Sequence, residues 1–143
     1  MLAFDFGTKK IGVAVGNTLV RVAHPLATIA AEANARRFDA IAALIAEWQP
    51  GRLVVGRPLH VDGTEHEMTQ RAQRFAHQLE GRFGLPVAFV DERYTTRAAD
   101  TTLREAGTTG RARKAARDEV AAQLILQAYF DLDTAPHDDR DPA

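Results

Sequence analysis

The chain has 143 residues, of which 45% are hydrophobic and 26% charged, and it contains no cysteine. That length suits one domain with a proper core, and the missing thiols exclude disulfide scaffolds, thiolate zinc sites and cysteine nucleophiles. No run approaches the ~18 apolar residues of a membrane span, and the N-terminal MLAFDFG lacks the basic-then-apolar pattern of a secretory signal, so a cytoplasmic protein is expected. The formal net charge is −1, and its distribution says more than its sum. Residues 131–143 carry Asp131, Asp133, Asp138, Asp139 and Asp141 against Arg140, a net of −4, so residues 1–130 hold 17 basic and 14 acidic groups, a net of +3. Fifteen of the 18 basic residues are arginine, which suits bidentate phosphate recognition, although a genomic bias would produce the same composition.

Leu2 to Phe6 alternates, with Leu2, Phe4 and Phe6 on one face and Ala3 and Asp5 on the other. After Gly7-Thr8-Lys9-Lys10, a second strand from Ile11 to about Gly16 places Ile11, Val13 and Val15 opposite Gly12, Ala14 and Gly16, so a β-hairpin is expected. A weaker strand is expected between Leu19 and Ile29, interrupted at Pro25. Asn34 is placed to cap a helix running to about Trp48, whose Phe38, Ile41, Leu44, Ile45 and Trp48 recur at helical spacing, and Pro50-Gly51 stops it. Trp48 and the helical phenylalanines are assigned to the core.

Arg52 to Gly56 is a short apolar run, as in a central strand covered on both faces. Arg57 to Gly63 forms a loop. A second helix starts at Thr64 or Glu65 and lasts until Phe83, with Met68, Ala72, Phe75, Ala76 and Leu79 inward and Gly84 closing it. Val87 to Val90 is a further buried strand ending at Asp91-Glu92-Arg93, and Thr95 or Thr96 caps a helix to about Ala106. Gly107 to Lys114 is expected as a mobile basic loop, and a last helix spans about Ala115 to Leu132 with Val120, Ala121, Leu124, Ile125, Ala128 and Tyr129 as its apolar stripe. The expected organisation is one mixed α/β domain over residues 1–132 with helices on both faces of the sheet, followed by an acidic tail, 133–143, without fixed structure.

Three acids sit where an acid is structurally awkward. Asp5 lies inside the first strand on a face of small residues, which leave room for an ion, a substrate or a closely packed helix; satisfying the following turn is the alternative role. Asp91 and Glu92 end a strand at its carboxyl end, where open α/β sheets place their sites. Alternation sends them to opposite faces, and the roomier side, shared with Ala88 and Val90, favours Glu92. Asp118 lies near the start of the last helix, on the side that carries Ala121, Ala122 and Ile125; a carboxylate near the positive end of the helix dipole is the alternative. Glu119 is read as pointing outward. Together Asp5, Glu92 and Asp118 form a candidate catalytic and metal-ligating set. Hard oxygen donors without cysteine or clustered histidine select Mg²⁺ or Mn²⁺ over zinc, and such ions can clamp both oxygens of a phosphodiester displacement.

The surroundings agree. Between Arg93 and Arg117 there are seven basic residues (Arg93, Arg97, Arg104, Arg111, Arg113, Lys114 and Arg117) against Asp100 and Glu105, a strip suited to phosphates that could equally be a solvated face. Lys9 and Lys10 stand beside Asp5. Lys9, Lys10, Arg57, Arg93, Arg97, Arg113 and Lys114 are therefore candidate substrate-binding residues.

FDFGTKKIGVAVGN at 4–17, VVGRPLHVDGTE at 54–65, VDERYTTRAA at 90–99 and ARDEVAAQLILQAYF at 116–130 together resemble the YqgF/RuvX family, nucleases assigned to pre-16S ribosomal RNA and once described as resembling Holliday-junction resolvases. The resemblance covers about residues 2–130. It implies a ribonuclease H-like α/β fold with a five-stranded mixed sheet flanked by helices. It further implies divalent-metal-dependent phosphodiester hydrolysis in 5′-end maturation of pre-16S ribosomal RNA, with RNA or a pre-ribosomal particle as partner. By the same resemblance Asp5, Glu92 and Asp118 match the acidic triad, Arg93 and Thr95 the DER-x-T motif, and Gly56 and Pro58 a G-x-P loop bordering the cleft. Thr95 joins the candidate substrate-binding residues through this resemblance alone. Lys10 departs from the family's commoner Arg, and Glu119 from a commoner small residue. A resolvase acting on branched DNA, or a nucleic-acid-binding regulatory module with little catalysis, stands as the alternative. A monomer or weak dimer is expected, with no membrane partner. The actin-like ATPases, which open on a similar hairpin, need two such domains and are excluded by length.

Overall fold

The computed structural model describes residues 1–58, 67–91 and 110–132, with the side chains of 110–118 left aside. Five strands, β1 (Leu2–Phe6), β2 (Ile11–Gly16), β3 (Ala23–Ile29), β4 (Leu53–Arg57) and β5 (Val87–Asp91), form one sheet in the order β3-β2-β1-β4-β5. The helices among the described residues are α1 (Asn34–Trp48), α2 (Glu67–Phe83) and α3 (Gly110–Leu132). β2 runs antiparallel to β1 and β3, while β1, β4 and β5 are parallel. This is the mixed α/β sheet expected for a ribonuclease H-like fold. The helix expected from Thr95 or Thr96 to Ala106 and the acidic tail fall outside the described residues.

The two faces of the sheet differ in side-chain volume. Leu2, Phe4, Ile11, Val13, Leu53 and Val55 bury one face against Phe38 and Ile41 of α1 and Ala72, Phe75, Ala76 and Leu79 of α2. Phe75 is the hub, with its ring centroid 4.9 Å from Phe6 and 5.9 Å from both Phe4 and Phe38. The other face is made of Ala3, Ala14, Ala23, Val54 and Val90, and on it lie Ala122, Ile125, Leu126 and Phe130 of α3. Gly16 completes this low surface: a Cβ built there would stand 2.8 Å from Phe130 Cε2 and 3.0 Å from Leu126 Cδ2. The small residues around Asp5 thus admit a closely packed helix over Ala3, Ala14 and Gly16.

Side-chain amides fasten the outer strand to α3. Gln127 accepts from the Ala23 N–H at 3.0 Å and donates to the Arg21 carbonyl at 3.1 Å, and Gln123 donates to the Ala23 carbonyl at 3.0 Å. Arg21, at φ 60°, reaches back to the Phe130 carbonyl and lies over its ring. β3 tolerates Pro25 because it is an edge strand; the ladder to β2 shifts between Val13 and Ala14, where Ala27 and then Pro25 are the partners.

Several expectations are corrected. Ala33, not Asn34, is the N-cap of α1, and it makes no side-chain cap bond. α1 ends on Gln49 in the left-handed region, its N–H bonded to the Ile45 carbonyl at 2.8 Å, because the residue before Pro50 is barred from continuing the helix. Trp48 is 43% exposed and lies outside the core. Thr69, not Met68, joins the buried face of α2. β5 is an edge strand, so Phe89 is 39% exposed instead of buried. α3 begins at Gly110, which takes Arg111 to Lys114 out of the expected loop, in keeping with the good helix propensity of Arg, Ala and Lys. Its buried stripe is Val120, Ala122, Ile125, Leu126 and Phe130, rotated from the expected one, since a nearly continuous apolar run carries little periodic signal.

Gly16→Ala should destabilise the fold by about 1–3 kcal/mol through overpacking. Adding Phe130→Leu to it should recover part of that loss, whereas strictly additive penalties in urea unfolding would show that Gly16 does not set the α3 distance.

Candidate active site

Asp5 sits on β1 two residues beyond Ala3, so alternation puts it on the α3 face. Its partner on β2 is Gly12, whose own partner on β3 is Thr28. On the other side, the register Leu2–Leu53, Ala3–Val54, Phe4–Val55 continues to bring Asp5 level with Gly56, which pairs with Val90. One row across the sheet therefore reads Thr28, Gly12, Asp5, Gly56, Val90. Asp5 is half-buried, and both flanking residues are glycines with buried backbones. The carboxylate therefore has no side chain level with it on either neighbouring strand.

The row lies toward the carboxyl end of the parallel strands, beside two loops. The β1–β2 turn carries Lys9 and Lys10, both exposed. Gly7 opens the turn, and a Cβ there would lie 2.6 Å from the Lys10 carbonyl oxygen, so this close approach of backbone requires glycine. Arg37 of α1 donates through Nη2 to the Gly7 carbonyl at 2.7 Å and through Nε to the Ala31 carbonyl, and lies 5.4 Å from the centroid of the Phe6 ring. Burial pulls the Arg37 pKa below its ordinary value and Glu32 partly offsets this. The second loop leaves β4 through Arg57 and Pro58. The wholly buried Thr69 hydroxyl of α2 donates to the Pro58 carbonyl, and the Gln73 amide oxygen, turned toward Arg57, accepts from Nε and Nη2 at 3.2 Å each.

The other expected site residues fall in several places. Arg57 pairs with Asp91 across β4 and β5, and both share the face of Val55 and Val87, opposite Asp5. Glu92, Arg93, Thr95 and Arg97 lie outside the described residues. Arg113, Lys114 and Asp118 lie on the α3 backbone, Asp118 four residues before the buried Ala122. Glu119 is not outward: its carboxylate accepts from Thr28 Oγ1 at 3.2 Å, at the β3 end of the Asp5 row. Among the described residues no three Asp, Glu or His side chains gather in metal-ligand geometry, and no helix is long and apolar enough to cross a membrane. Asp5 itself suits a hard divalent cation in donor chemistry: it is a half-buried carboxylate oxygen donor.

The sequence reading missed Arg37, Thr69, Gln73 and the Thr28–Glu119 bond. Thr69 had a signal, since 69, 72, 76 and 79 continue one helical stripe. Arg37 had none, because its partners are carbonyls 6 and 30 residues away.

Thr69→Val keeps the volume but leaves the part-buried Pro58 carbonyl without its donor, so stability should fall by about 1 kcal/mol. Thermal unfolding checks this, and an unchanged melting temperature would show that the hydroxyl does not hold the loop.

Comparison with known proteins places the chain among close relatives. A protein of Methylobacillus flagellatus is 57% identical over 131 residues, covering 92% of this chain and 90% of its own. Relatives from Dechloromonas aromatica and Nitrosomonas europaea are 56% and 55% identical, covering 96% and 94% of this chain and 92% and 91% of their own. All three carry the name "Putative pre-16S rRNA nuclease". The sequence profile of the RuvX family, described as Holliday junction resolvase, matches residues 1–132. With that match spanning the whole sheet and all the described helices, the chain belongs to the RuvX family.

Proposed function

We propose that this protein is a nuclease that hydrolyses phosphodiester bonds in structured RNA and acts in 5′-end maturation of pre-16S ribosomal RNA. The observation that carries the reading is the row Thr28, Gly12, Asp5, Gly56, Val90: a carboxylate held in the middle of a rigid sheet between two glycines. The names of the relatives supply the substrate class. In this reading the site is completed by Glu92, which follows β5, and by Asp118, carried by the helix that packs on the Asp5 face. Asp5, Glu92 and Asp118 would hold Mg²⁺ or Mn²⁺. When bound, such an ion supplies Lewis-acid stabilisation and a more acidic water.

The chain's own residues do the rest. The central strand holds the Asp5 carboxylate in one orientation, so little reorganisation is needed as charge develops on the phosphate. Lys9 and Lys10 project from the turn beside it and pair with the nucleic-acid backbone, with Arg93, Thr95, Arg97, Arg113 and Lys114 extending the track; such contacts fix position without reading sequence. Arg57, on the opposite face and bonded to Gln73, serves the same track at the mouth of the β4 loop. The protein acts in the cytoplasm as a monomer or weak dimer, and the acidic residues 133–143 are a tail beyond the nuclease domain, 1–132.

A second reading, cleavage of four-way DNA junctions, is favoured by the family description. Comparing a pre-16S ribosomal RNA fragment with a four-way DNA junction in Mg²⁺ or Mn²⁺ separates the two. Asp5→Asn should lower cleavage of the RNA by at least about 100-fold with an unchanged circular dichroism spectrum. A folded variant that cleaves as well as wild type would remove Asp5 from the site.

A further inference from the structure

Among the described residues, the buried polar or charged side chains are Arg37 and Thr69, and Arg37 alone carries a charge. It lies over the ring of Phe6, which packs on Phe75 and through it on Phe38 in one aromatic cluster. Burying a guanidinium there is costly, and an apolar side chain of similar volume would pack at least as well. What an apolar side chain would not supply is a pair of donors for two main-chain carbonyls, Gly7 and Ala31, which belong to different segments. Gly7 lies two residues after Asp5 and two before Lys9, in a turn already closed so tightly that a Cβ at Gly7 would collide with the Lys10 carbonyl. The Arg37 fork therefore pins from below a turn whose exposed top carries two lysines.

We propose that Arg37 is a positioning residue. By holding the Gly7 and Ala31 carbonyls it fixes the β1–β2 turn, so that Lys9 and Lys10 keep one spacing to Asp5 and meet adjacent phosphates of a bound strand. The guanidinium touches neither substrate nor the reacting atoms. Its planar geometry bonds two acceptors at once, which a lysine ammonium does not reproduce in the same plane. The mechanical half of this inference stands on the hydrogen bonds; the catalytic half rests on the nuclease reading.

The test compares Arg37→Met, which keeps the length and removes the donors, with Arg37→Lys and with Arg82→Met. Arg82 lies 4.2 Å from the centroid of the Phe38 ring in the same aromatic layer, so Arg82→Met reports the cost of losing a stacked guanidinium there. Native-state hydrogen exchange at residues 8–11 should accelerate by about tenfold or more in Arg37→Met, by less in Arg37→Lys, and not in Arg82→Met. Where all variants are folded, Arg37→Met should lower kcat/KM for RNA cleavage by about tenfold, beyond any loss in Arg82→Met, and should flatten the salt dependence of RNA binding, because the lysines no longer engage together. Unchanged exchange in Arg37→Met overturns the proposal. Faster exchange with binding and cleavage no worse than Arg82→Met overturns its functional half. Should Arg37→Met fail to fold, Arg37→Lys carries the same comparison. Absence of cleavage by wild type would refute the nuclease reading, while exchange and RNA binding would still decide the role of Arg37.

Discussion

The close approach of α3 to one face of the sheet is the contact on which the rest of the molecule depends. It is possible because β1 and β2 present Ala3, Ala14 and Gly16 there, so that the Phe130 ring and Leu126 reach the backbone itself. The opposite face is filled by phenylalanine, leucine, isoleucine and valine and takes two helices. Interiors are close-packed, so a sheet with one bulky and one low face sorts its helices without further instruction. The same low face continues into Gly12 and Gly56, the residues level with Asp5 on the neighbouring strands. Small residues thus both seat the helix and flank the acid on its two neighbouring strands.

Holding that site in place is a task for polar groups from the other layer. The loops after β1 and β4 leave adjacent parallel strands and are each fastened from below, the first by Arg37 on Gly7 and Ala31, the second by Thr69 on Pro58 and Gln73 on Arg57. A third tie joins α3 to β3 at the far end of the Asp5 row, through Glu119 and Thr28. The donors Arg37 and Thr69 are buried, so removing their part-buried carbonyl acceptors would leave them uncompensated. A site built on strands and braced this way loses little freedom when a substrate binds.

Much of the fold was legible because its periodicities are clean. The alternation of Leu2, Phe4 and Phe6 against Ala3 and Asp5 identified β1 and its faces, and the unbroken Leu53-Val54-Val55 run identified a strand buried on both sides. The acid at Asp5 was conspicuous for the same reason. What the pattern hid depends on neighbours distant in sequence. Nothing local marks β5 as an edge strand or leaves Trp48 in solvent. In α3 the apolar residues are too dense for periodicity to pick the buried side, so the inward stripe was rotated and Glu119 was turned outward. Arg37 reads as one of two arginines at the start of an amphipathic helix; only the fold shows that it faces two carbonyls and an aromatic ring.

The central claim is that Asp5, in its glycine-flanked place on the sheet, is a ligand to a catalytic divalent ion. The most direct test is anomalous diffraction from crystals soaked in Mn²⁺. The account predicts an anomalous peak with an Asp5 carboxylate oxygen in direct coordination, together with oxygens of Glu92 and Asp118. Manganese bound elsewhere, with Asp5 turned away from it or engaged only with the protein backbone, would contradict it.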